Sequence, residues 1–131
     1  MTTGNGSRFT LIAAALTGAS AVALGAFGAH ALRAVLDERS LVTWHTAVDY
    51  QFWHALALFG VGVLARERAT TALRCAAVAF VVGIALFCGS LYALALGAPR
   101  FLGAITPLGG IALITAWLAL AVHAWRNPAA R

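Results

Sequence analysis

Apolar residues run almost unbroken through four stretches of the chain, 9–32, 44–65, 72–96 and 102–125, and charged residues gather in the joints between them. Each stretch supplies about the 20 apolar residues that a helix needs to cross roughly 30 Å of hydrocarbon. A soluble domain of 131 residues could not bury four such helices on every side. The pattern therefore predicts an all-α integral membrane four-helix bundle, a single domain over 1–131 with those four spans. Between the first two, Leu32, Val35 and Leu36 recur at i, i+3, i+4 while Arg33, Asp37 and Glu38 fall on other faces. That spacing predicts a short amphipathic helix within 31–43, lying in the headgroup layer between helices 1 and 2. Ser40 would then cap the second helix, and Trp44 would join the interfacial aromatic belt. Residues 66–71 read as a tight hairpin, Gly97-Ala98-Pro99-Arg100 as a turn, and 1–7 as a small polar tail.

Composition sharpens the class. Hydrophobic residues make up 62% of the chain and charged residues 10%, so chemistry is confined to the bundle and its two surfaces. The net charge of +5 is not a nucleic-acid signal, because the arginines are scattered over loops and ends with no basic face. They do predict orientation. Arg8, Arg66, Arg68, Arg74, Arg126 and Arg131 fall on one side, against Arg33, Arg39 and Arg100 on the other. Six against three places both termini in the cytoplasm. The first stretch exceeds the usual apolar length of a signal peptide and is read as a retained helix.

Ala14/Gly18 and Ala21/Gly25 are small-xxx-small pairs that let a neighbouring backbone approach closely. Packing within one bundle accounts for them, and a homo-oligomer seam or a membrane-protein partner stays open. Cys75 and Cys88 lie about 20 Å apart along one helix, too far for a disulfide, and read as packing residues.

Ionisable groups inside hydrocarbon are costly and mark candidate sites. On the second helix, Tyr50, Gln51 and His54 share about a third of the circumference, while His45 and Asp49 form a nearly opposite face. His45 and Asp49 read as an interfacial pair, and His123 as interfacial at the cytoplasmic end of the fourth helix. Counted along straight helices, His30, Ser90, Tyr92 and Thr106 map to the outward half, with His54 deepest, near the midplane. His30 and His54 differ by roughly 13 Å in depth, which argues against a bis-histidine haem. Pro107, beside Thr106 and two glycines, suggests a local helix distortion lining a polar pocket. No nucleophile triad, phosphate loop, metal-ligand spacing or paired-carboxylate site stands out, so no cofactor, no metal and no catalytic residue is expected.

Several blocks carry a resemblance. Gly25-Ala26-Phe27-Gly28-Ala29-His30, Thr46-Ala47-Val48, Tyr50-Gln51, His54-Ala55-Leu56-Ala57-Leu58, Gly89-Ser90-Leu91-Tyr92 and Thr106-Pro107-Leu108-Gly109-Gly110 span most of the chain. In these blocks the chain resembles the YgdD-like family of small bacterial inner-membrane proteins, a domain-of-unknown-function family with relatives in eukaryotes. The resemblance implies a four-helix protein of the bacterial inner membrane. It implies no activity, and it leaves His45 and Asp49 outside the matching motifs.

The expectation is a non-enzymatic bundle in the lipid bilayer, with an outward-side polar pocket of His30, Tyr50, Gln51, His54, Ser90, Tyr92 and Thr106. It would bind a small molecule or lipid headgroup, or brace a larger membrane complex. The alternatives are a transport or proton-conducting protein with His54 as relay, and a haem- or quinone-binding redox subunit.

Overall fold

The computed structural model describes residues 3–127, with side chains from Asn5 onward; Met1, Thr2 and Arg131 of the sequence expectations lie outside the described residues. Four helices follow in order: α1 (Thr3–His30), α2 (Glu38–Glu67), α3 (Thr71–Ala95) and α4 (Ile105–Arg126). Single 3-10 segments, Leu32–Ala34 and Arg100–Ala104, lead into α2 and α4. All four helices are long and apolar enough to span a membrane. α1 packs on α2, α2 on α3 and α3 on α4, while α1 and α4 share no interface of comparable extent. The bundle is thus a serial array with α2 and α3 in the middle.

The packing follows a seven-residue repeat. In α1 the buried positions are Ser7, Ala14, Ala21 and Gly28. In α2, Trp44, Gln51 and Leu58 form one such series and Ala47, His54 and Val61 another. In α4, Gly109, Ala116 and His123 form a fourth. A strict repeat of seven keeps one seam of a helix turned towards its neighbour along its whole length. α1 and α2 run antiparallel in register, with Gly62 opposite Leu11, Gly18 opposite Ala55, Gly25 opposite Val48 and Gly28 opposite Trp44. On the other side of the array a Cβ at Gly109 would lie 2.7 Å from the Phe87 Cα, so only glycine lets α4 meet the α3 backbone there.

Five expectations change, most of them at the helix ends. No separate amphipathic helix lies between α1 and α2: Leu32 turns inward and is buried, leaving a single 3-10 turn. Asp37, not Ser40, caps α2; its carboxylate accepts the Ser40 backbone N–H at 2.7 Å, so α2 starts a turn and a half before Trp44. That bond holds the Asp37 carboxyl below its ordinary value of 3.8. Trp44 itself is 3% exposed and belongs to the core rather than the interfacial belt. Its indole lies on Gly28, where a Cβ would stand 2.6 Å from Nε1, and this close approach lets the ring N–H donate to the Leu24 carbonyl at 2.9 Å. Pro107 falls in the first turn of α4, where backbone N–H groups have no partner within the helix, so it causes no break. The polar tail is also partly helical, since α1 begins at Thr3.

Candidate functional site

Gln51 sits on the buried face of α2, 6% exposed, where the antiparallel register sets it against the middle of α1. Its amide donates to the Thr17 carbonyl at 3.0 Å and to the Ser20 hydroxyl at 2.8 Å. Ser20 in turn donates to the Thr17 carbonyl at 3.0 Å. On the other side the Gln51 carbonyl accepts the Tyr92 hydroxyl of α3 at 2.8 Å. The Tyr92 ring lies 4.6 Å from the Trp44 ring, centroid to centroid. One side chain thereby ties three helices together through donors and acceptors that hydrocarbon cannot replace.

His54 and Tyr50 form a second group. The His54 Nδ1 lies 2.6 Å from the Tyr50 carbonyl, so this nitrogen carries the proton and donates. The ring is 7% exposed and packs against Phe80 and Trp117, and Tyr50 stacks on Phe87 at 4.6 Å. A third group joins α3 to α4. Ser90 donates to the Phe87 carbonyl at 3.0 Å, which leaves the Thr106 hydroxyl to donate to Ser90 at 2.7 Å.

Of the seven residues read from the sequence, six therefore fall into these three groups, while His30 is exposed at the end of α1. His45 and Asp49 are exposed as well. Thr17 and Ser20 were missed; their i, i+3 spacing on an otherwise Ala- and Gly-rich helix is the signal that could have found them. His123, in the last turn of α4, is 9% exposed, with Nδ1 2.9 Å from the Thr70 hydroxyl that caps α3. Among the described residues no buried side-chain nitrogen or oxygen lacks a partner. Nor does any group of three or more His, Cys, Asp or Glu among them lie close enough to hold a metal ion.

Open space lies at the other end. A cavity of about 740 Å³ is lined by Ser7, Arg8, Leu11, Ile12 and Ala15 of α1, by Ala65, Arg66 and Glu67 at the end of α2, and by Ala69 beyond it. A second, of about 290 Å³, lies between the start of α1, the end of α2 and the start of α3. Neither touches any of the seven residues.

Residues 24–110 match the family described as "Protein of unknown function (DUF423)", a segment that holds all three hydrogen-bonded groups except Thr17 and Ser20. The chain belongs to this family. The Bacillus subtilis family member "UPF0382 membrane protein YwdK" is 44% identical over 115 residues, which is 87% of this chain and 94% of that protein. "UPF0382 inner membrane protein YgdD" of Escherichia coli K12 is 39% identical over 120 residues, covering 92% of each. A Staphylococcus saprophyticus family member, "UPF0382 membrane protein SSP2132", is 40% identical over 118 residues, 88% of this chain and 96% of that protein. No solved structure matches. This DUF423 chain is a membrane protein of unknown function with four candidate spans.

Proposed function

We propose that the chain is a non-enzymatic bundle of the bacterial inner membrane that binds a small amphiphilic molecule or lipid headgroup. Both termini would lie in the cytoplasm, in keeping with the arginine count, and the inner-membrane location is in keeping with the name of the E. coli relative. One observation carries the reading. The polar side chains of the helix interiors bond to one another, whereas the cavity of about 740 Å³ opens elsewhere, at the end that holds the start of α1. In this reading Gln51, Tyr92, Ser90 and Thr106 brace the array, and the binding site is the cavity. The volume is in the range of small-molecule sites.

Native mass spectrometry of protein purified in mild detergent tests this. The expected result is a reproducible bound mass that Ala15→Trp, which fills the cavity floor, removes and His54→Ala leaves in place. A bound mass lost with His54→Ala and kept with Ala15→Trp would move the site to the Tyr50–His54 group. A bare protein would sink the binding reading.

A further inference from the structure

The lining of the large cavity changes character with depth. Arg8, Arg66 and Glu67 stand at its mouth, and Leu11, Ile12 and Ala15 line it below. From Ser7 to Ala15 the wall descends about 12 Å along α1. The smaller cavity shares Ser7, Ala65 and Ala69 with the first and repeats the order, with Arg74 beside Val61, Leu73, Ala77 and Val78. Three arginines thus face one glutamate around two adjoining hollows whose walls are otherwise mostly small or aliphatic. No ion pair among the described residues engages these guanidinium groups.

A soluble anion would match the rim alone. A zwitterionic lipid would match the wall but bring its own cation to a rim already positive. An anionic phospholipid matches both, because its phosphate meets the arginines while its acyl chains run along the aliphatic wall. Guanidinium groups also suit phosphate oxygens through paired donors. Basic pockets between spans at the cytoplasmic face hold anionic headgroups by this same charge pairing. We infer that the hollows around Ser7, Ala65 and Ala69 form a binding site for an anionic glycerophospholipid, its phosphate held between Arg8 and Arg66. The inference rests on the reading that the cavity takes an amphiphile, and it adds the charge class of the headgroup and the residues that read it.

The test compares phosphatidylglycerol with phosphatidylcholine of the same acyl chains, each added to the full chain in detergent and followed by native mass spectrometry. Wild type is expected to retain phosphatidylglycerol about thirtyfold more strongly, at about fivefold per arginine. Arg8→Gln with Arg66→Gln should bring that preference close to one and leave phosphatidylcholine binding as it was. Arg33→Gln with Arg39→Gln, at the opposite end, should leave the preference intact. Inorganic phosphate in excess should not displace the lipid. Equal binding of the two lipids by wild type would overturn the charge assignment while the amphiphile site stands. A preference that survives the Arg8/Arg66 variant, or falls equally with the Arg33/Arg39 variant, would overturn the location. Displacement by inorganic phosphate would make the ligand a soluble anion. Binding of neither lipid would remove the amphiphile reading along with this one.

Discussion

Gln51 is the residue on which most of the interior polarity turns. A glutamine amide has two donors and a carbonyl acceptor, and here both kinds are taken up by other helices: Thr17 and Ser20 on one side, Tyr92 on the other. Hydrogen bonds between spans contribute about 0.6 kcal/mol each on average, and up to about 1.7. Gln51→Leu removes three and strands the Tyr92 hydroxyl, so a loss of about 2 kcal/mol is expected in an SDS-unfolding titration. Tyr92→Phe, which removes one bond and keeps the ring against Trp44, should cost about 0.6–1 kcal/mol. A Gln51→Leu variant as stable as wild type would mean that these bonds do not hold the helices together. His54 differs in kind, because its ring N–H returns to a carbonyl of its own helix, and its packing partners are rings from α3 and α4.

At the scale of elements, the seven-residue repeat explains why small residues recur where they do. Gly28 admits the Trp44 indole and Gly109 admits the α3 backbone, so each outer helix has a point of closest approach to the inner pair. The start of α2 shows a different control. Asp37 sits outside the apolar run, and its charged carboxylate satisfies an N–H of the first turn. Because its folded value is depressed, the stabilisation is present above the unfolded value near 3.8 and is lost as pH falls through the lower folded value. Thermal melts in detergent should therefore show wild type above Asp37→Asn near neutral pH, with the gap closing as pH falls below 3.8 and through the depressed folded value. A gap that stayed constant with pH would rule out this role for the carboxylate charge.

For the whole molecule, the serial order leaves α1 and α4 as flanks that meet lipid over much of their surface, with Phe9, Leu16, Ile111, Ile114 and Leu118 all exposed. In the proposed orientation the arginines set how the array stands, with both ends in the cytoplasm. Reporter fusions at the two ends should both report the cytoplasm, and one in the Arg33–Arg39 joint should report the far side. A mixed result would show that six basic residues against three, with Asp37 and Glu38 beside two of the three, do not suffice to orient it. In that proposed orientation the arginine-rimmed hollows would lie on the side where an anionic inner-leaflet lipid is met.

Four spans, the membrane class and the family were legible in the chain itself. Apolar length is a property of contiguous residues set against one solvent, and Gly28, Gln51 and Gly109 stand in motifs visible without coordinates. Helix starts were less legible, since Asp37 and Leu32 each act through a contact that periodicity alone does not reveal: a backbone N–H in one case, a buried face in the other. The candidate site was least so. Depth counting put polar residues into one half of the bundle, but which of them meet depends on how α1, α2 and α3 slide and turn against each other. Only that register brings Gln51 to Thr17 and Ser20 and Tyr92 to Gln51, and leaves His30 outside. It also decides where helices diverge, and hence that the open volume lies among Arg8, Leu11 and Arg66, residues that no motif singled out. Hydrophobic length chose the solvent; side-chain packing between helices chose the partners and the cavity.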